Sequence, residues 1–163
     1  MTSCPVRTQL PAHVWRKRAG FTLIEMLAVV AIIGMLLGIG TPRLQVILKS
    51  VKVTRAIGDI TAIEVDVIAF SIARDSLPAS LAAIGRGGML DPWGNPYQYL
   101  NYGGEKNPAG ARTDRSLHPL NSDFDLYSMG EDESSVERIT AKVSQDDIIR
   151  ANDGGFVGLA RLY

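Results

Sequence analysis

Gly20-Phe21-Thr22-Leu23-Ile24-Glu25-Met26-Leu27-Ala28-Val29-Val30-Ala31-Ile32-Ile33-Gly34-Met35-Leu36-Leu37-Gly38-Ile39-Gly40-Thr41-Pro42 is the stretch that decides how this 163-residue chain is read. Phe21 to Gly40 is twenty residues, and as a helix rising about 1.5 Å per residue it would extend ~30 Å, the thickness of a bilayer's hydrocarbon core. Its only charge is Glu25. A carboxylate is costly inside hydrocarbon, so a segment otherwise free of charge needs a reason to carry one. Three readings are open. Glu25 near the end of the run would snorkel to the headgroups, the run would be a conventional secretory signal cut after Gly38-Ile39-Gly40, or the acid has a dedicated partner. The apolar core is longer than the usual 7–15 residues of a secretory signal and contains an acid, both of which weigh against the second.

Outward from this stretch, Arg16-Lys17-Arg18 lies just before Gly20, and Arg43, Lys49, Lys52 and Arg55 follow it. The tight triplet favours a cytoplasmic N-terminus. A basic leader, Gly20-Phe21-Thr22-Leu23-Ile24-Glu25, and an apolar run ending at Pro42 resemble the class III signal of type IV pilins and of the pseudopilins of type II secretion systems. The resemblance implies that a prepilin peptidase cuts after Gly20 and methylates Phe21. It divides the chain into a cleaved leader, 1–20, a transmembrane and assembly segment, 21–42, and a periplasmic pilin-like domain, 43–163. Cleavage would place an α-amino group on Phe21, and packed subunits could set that amine beside Glu25 of a neighbour. Such a pair stabilises only when its geometry is good, so it would fix the stagger between copies. Gly34 and Gly38 permit close helix contact, and with Gly40, Thr41 and Pro42 they weaken the helix, so this is where it can give.

The totals fit one small globular domain beside a long helix. Lys plus Arg and Asp plus Glu are equal at 17 each, but the balance hides a gradient. Up to residue 60 there are eight bases and two acids, and from Asn121 onward nine acids and four bases. Without the leader the chain is acidic by about four charges, a poor composition for nucleic-acid binding. The single cysteine, Cys4, falls in the leader, so the mature chain is expected to hold no disulfide.

From Arg43 to about Arg74 the residues Leu44, Ile47, Leu48, Val51, Ile57, Ile60, Ile63, Val67 and Phe70 recur every three or four positions, predicting one amphipathic helix that Asp75-Ser76-Leu77-Pro78 ends. Lys49, Lys52, Arg55, Asp59 and Glu64 are expected on its solvated face. Residues 79–90 read as a short helix or turn. Asp91-Pro92-Trp93-Gly94-Asn95-Pro96 reads as a rigid double turn with Trp93 packed on the helix, followed by a strand at Tyr97–Leu100. A polar loop fills 101–121, and its lone His118 receives no role. Asp123–Ser128 alternates as a strand pairing antiparallel with 97–100, and the tail Ala151–Leu159 reads as a turn and a short apolar strand. The expected fold is α+β and pilin-like, a long N-terminal helix on a small antiparallel sheet.

The string Asp91–Leu100 resembles the major pseudopilin of type II secretion systems more than true pilins. By that resemblance the acidic C-terminal loop would bind calcium, a hard cation wanting six to eight oxygens, with Asp132 and Asp147 as side-chain ligands and Met129 through its carbonyl. The family's Asp-Gly is Asp132-Glu133 here, and residues 134–145 form a longer connection. The other reading is a solvated acidic loop with Arg138, Lys142 and Arg150 as counter-charges. The function implied is structural. The chain would be a subunit of a periplasmic pseudopilus, homopolymeric and joined by other pseudopilins, drawn from the inner membrane by an assembly platform. A type IV pilus or DNA-uptake pilus subunit is the alternative. With no mature cysteine, one histidine and no nucleophile motif, no catalytic residue is assigned.

Overall fold

The structure is a computed structural model that describes residues 20–116 and 118–163, with the backbone alone described at 39–43. The leader up to residue 19 and the side chain of Pro42 therefore lie outside the described residues. The chain divides into two compact units, Met1–Pro42 and Arg43–Tyr163.

Helix α1 spans Leu23–Arg74. Ile and Val make up 17 of its 52 residues, and β-branched side chains lower intrinsic helix propensity, so the helix depends on burial of its apolar side chains rather than on propensity. Its hydroxyls are kept from competing with the backbone ladder by bonding back to earlier carbonyls, as Thr54 does to Ser50 and Thr61 to Ile57. The backbone stays helical through Pro42. The helix stops where expected: Asp75 takes a left-handed φ of 53°, which Asp tolerates better than most residues, and Pro78 follows. Among the described residues no helix is long and apolar enough to cross a membrane. The side chain of Ile39, part of the expected span, lies outside that description.

In the second unit a 3-10 turn at Leu81–Ile84 lies in the stretch 79–90 read as a short helix or turn. Four strands follow: β1 Gln98–Asn101, β2 Phe124–Ser128, β3 Ile148–Ala151 and β4 Phe156–Leu159. They form an antiparallel sheet in the order β1-β2-β3-β4. Gln98 lies opposite Tyr127, Tyr127 opposite Ile149, and Ile149 opposite Gly158. The two strands expected before residue 130 fall within one residue of their observed positions, and β4 lies in the tail read as a strand.

Side-chain alternation gives the sheet two apolar faces. Phe124 and Leu126 of β2 and Ile148 of β3 pack on Ala56, Ile60, Ile63 and Val67 of α1, with Leu81 and Tyr97. Ile149 and Ala151 face the other way, onto Leu120, Ile139 and Ala160. Each fully buried large side chain contributes about 1.5–3 kcal/mol. Trp93 is half-buried against the first cluster, as expected. The turn that presents it is held by Asp91, whose Oδ1 accepts from the amides of Trp93 and Asn95 at 2.9 and 2.8 Å, and whose Oδ2 accepts from Ser128 Oγ at 2.5 Å.

Two expectations about α1 are corrected. Leu44, Ile47, Leu48 and Val51 are 56–58 % exposed, because the core begins only at Val53 and Ala56. Nor is Glu64 on a solvated face: it is 8 % exposed and accepts from Arg150 Nε at 2.7 Å. Asp59 likewise turns inward to accept from Tyr97 Oη at 2.9 Å. Arg150 is thus not a counter-charge for the acidic loop. It sits on the helix-facing side of β3, where its nearest acids are Glu64 and Asp123.

Candidate functional site

Two regions carry the residues singled out in the sequence. At the N-terminus, Gly20 and Phe21 are exposed, Phe21 by 82 %. Thr22 and Glu25 form a reciprocal cap. Glu25 N donates to Thr22 Oγ1 at 3.3 Å, and Glu25 Oε2 accepts from Thr22 N at 2.9 Å and Thr22 Oγ1 at 3.0 Å. This Thr-x-x-Glu arrangement satisfies amides that a helix start leaves without partners. The Thr-x-x-Glu spacing is readable in the sequence, and it gives Glu25 a local partner besides the amine expected from a neighbour. Beyond the cap, Leu23, Ile24, Leu27, Val30 and Ile32 are exposed by more than half. A Cβ added at Gly34 or Gly38 would meet nothing within 4 Å, so nothing in a single copy demands glycine there.

The second region is the acidic loop between β2 and β3. Gly130 turns it with a φ of 70°, and a Cβ there would press on Asp146 Oδ2 at 2.7 Å. That same oxygen accepts from the amides of Glu131 and Asp132 at 2.8 and 3.1 Å. Asp132 is exposed, and its Oδ1 accepts from Ser134 N at 2.9 Å. Met129 is half-buried.

Asp147 is the residue after Asp146. It is fully buried and forms an ion pair with Arg112, 2 % exposed, through Arg112 Nη2 and Asp147 Oδ2. Ser135 Oγ donates to the same oxygen at 2.7 Å and receives Arg112 Nη1. The guanidinium stands 4.2 Å from the centre of the Tyr127 ring, a cation–π contact. Burial pushes the Asp147 carboxyl up to about 6 against the pull of Arg112 and Ser135. Nearby Asp125 is also raised by burial, in spite of hydrogen bonds from Arg112 N at 2.6 Å and Asn121 Nδ2 at 3.0 Å.

Of the three residues assigned to calcium by resemblance, Met129 is half-buried, Asp132 is exposed, and Asp147 is buried against Arg112. Among the described residues no three His, Cys, Asp or Glu side chains stand close enough to share a metal ion. Asp147 Oδ2 is already taken by a guanidinium and a hydroxyl, which leaves one of its oxygens for a hard cation that wants six to eight, so the residues as placed do not fit one. Sequence reasoning missed Arg112, which lay in a stretch read as a polar loop. Its separation from Asp147 by 35 residues left no local pattern to find.

A prepilin-type N-terminus ahead of a long helix and a four-stranded antiparallel sheet defines the pilin-like class of α+β proteins, and its N-terminal motif suggests membrane anchoring. The family signature described as the prokaryotic N-terminal methylation motif matches residues 15–41. The type II secretion system core protein G of Pseudomonas aeruginosa is 33 % identical over 138 aligned residues, covering 72 % of this chain and 86 % of that protein. The proteins of the same name from Aeromonas hydrophila and Vibrio cholerae are 28 % and 32 % identical, each covering 54 % of this chain and 76 % and 74 % of their own. No solved structure matches the chain at a significant level. The chain belongs to the type II secretion system core protein G family, the major pseudopilins, and is a structural subunit of a type II secretion pseudopilus.

Proposed function

We propose that this subunit is cut after Gly20 by a prepilin peptidase and methylated on Phe21. It then waits in the inner membrane, with residues 21–42 spanning, a cytoplasmic N-terminus and a periplasmic domain. An assembly platform draws it into a periplasmic filament made of its own copies together with other pseudopilins. One observation carries this reading: the apolar side chains at Leu23–Leu37 and at Leu44–Val51 stand exposed on α1. Isolated apolar side chains at a surface need no explanation, whereas runs of this length mark surfaces meant for lipid or for a partner. Lipid covers the first run before assembly, and neighbouring helices cover both after it. Glu25 then sets the register by meeting the Phe21 amine of an adjacent copy. Mass spectrometry of the N-terminus with and without the peptidase tests the reading. A methylated terminus at Phe21, produced only with the enzyme, is expected. A chain still starting at Met1, or one starting at Thr41, would refute it.

A further inference from the structure

The ion pair between Arg112 and Asp147 ties together three segments that are distant in sequence. Arg112 comes from the loop before β2, Ser135 from the middle of the acidic loop, and Asp147 from the residue before β3. Around this cluster the chain is knitted by backbone bonds. Thr113 N donates to Glu137 O at 2.8 Å, Ile139 N to Thr113 O at 3.1 Å, and Ala160 N to Asp147 O at 2.9 Å. The loop thus closes on a buried cationic side chain from elsewhere in the same chain.

We infer that Arg112 is the resident cation of the acidic loop, doing through Asp147 the tying that the resemblance assigns to calcium, and that this subunit folds and holds its C-terminal loop without a metal. Three observations support it and none depends on the assembly reading. First, a guanidinium donates in several directions at once; here it reaches Asp147, Ser135 and the Tyr127 face from one buried position. Second, a divalent ion on Asp147 would face that guanidinium across a single hydrogen bond, in an interior where like charges are poorly screened. Third, two of the loop's other acids each have one oxygen engaged with the loop's own amides: Asp132 Oδ1 with Ser134, and Asp146 Oδ2 with Glu131 and Asp132. On Asp147 only the buried Oδ1 lacks a hydrogen-bond partner, one oxygen where calcium takes six to eight.

The test uses the full chain in detergent, stripped with EDTA, and follows thermal unfolding by near-ultraviolet circular dichroism. Between 1 mM EDTA and 1 mM CaCl2 the wild-type Tm is expected to move by less than about 1 °C, since a ligand bound well below 1 mM would raise it by several degrees. A rise above about 3 °C overturns the inference. A second arm compares Arg112→Gln with Arg112→Gln/Asp147→Asn. Removing the guanidinium strands a buried carboxylate, so the double variant should melt higher than the single one, and recovery of a folded double where the single does not fold counts the same way. A single variant that melts with wild type, or a double variant no better than the single, overturns it. If neither variant folds, the wild-type comparison decides.

Discussion

Replacing Arg150 with Met should cost this subunit about 4–5 kcal/mol, because this residue joins the long helix, the sheet and the loop before β2 by charge. Its Nε donates to Glu64 Oε1 at 2.7 Å, and its Nη1 and Nη2 donate to the two oxygens of Asp123 at 2.7 and 2.9 Å. The guanidinium also lies 4.0 Å from the centre of the Phe124 ring. Methionine keeps most of the length and fills the same space, so the loss is electrostatic. The Glu64 side chain, 11 % exposed, would be left charged and unpartnered, a situation that costs about 3–5 kcal/mol. Asp123 is a third exposed and can turn to water, so its share stays within about 1 kcal/mol. Out of a typical total of about 5–15 kcal/mol this is a large loss. Urea unfolding of the full chain in detergent, read by near-ultraviolet circular dichroism, measures it from the midpoint at constant slope. The double variant Arg150→Met/Glu64→Leu removes the stranded acid and should recover at least about 2 kcal/mol. A loss below about 1 kcal/mol in the single variant, or strict additivity in the double, would show that the helix is held to the sheet by apolar packing alone.

Three further outcomes follow from single positions. Glu133 occupies the left-handed region at φ 59°, where a non-glycine residue costs about 1–2 kcal/mol; Glu133→Gly should therefore stabilise by about 0.5–1 kcal/mol after glycine's entropy, seen as a higher urea midpoint, and a lower midpoint refutes this. Asp153 is held below its usual 3.8, against some desolvation, by Ser122 N and Oγ at 2.6 and 2.8 Å and by the Arg150 charge. What it contributes is thus complete above the unfolded value and is lost as pH falls through the lower folded one; its carboxyl carbon shift should titrate below 3.8, and a midpoint at or above 3.8 counts against the bonds. Filament formation should survive Thr22→Ala, which removes a hydroxyl from the helix cap, and should fail in Glu25→Gln; equal assembly by both variants sinks the register role.

What was legible in the sequence was whatever repeats locally. The spacing of Ile60, Ile63 and Val67 marks the buried stripe of α1, and the alternation in Phe124-Asp125-Leu126-Tyr127 marks β2. Asp91-Pro92-Trp93-Gly94-Asn95-Pro96 marks the double turn, since turn residues act through their own backbone. Strand β3 was not legible. Ile148-Ile149-Arg150-Ala151 is buried at all four positions, so it has no polar face to alternate, and the two aspartates before it look like loop. Buried charge was the other blind spot. Glu64 and Arg150 are 86 residues apart, and nothing in a helical pattern tells an inward acid from an outward one until its partner is placed. For the same reason the pairing of Asp147 with Arg112 was not legible: the acid was visible, and the arginine that reaches it lay 35 residues away in a stretch read as a polar loop.

The cap at the N-terminus and the proposed register role of Glu25 look like rival explanations of one acid, but they ask different things of it. A capping box is served by Glu or Gln alike, because it needs an acceptor for the N-cap amide and no charge. A helix start in water could therefore carry a neutral residue at position 25. A charge there matters only if something positive approaches, and the family's processing would create such a group one residue before Thr22. The two demands are also compatible in space. Both hydrogen bonds from Thr22 go to Oε2, and among the described residues Oε1 accepts none, so the cap leaves one carboxylate oxygen for an amine. Capping fixes the direction of the carboxylate before any neighbour arrives, and a preordered acceptor loses less freedom on pairing than a mobile one. On this view Thr22 is what aims Glu25, and the charge on Glu25 is what a filament reads.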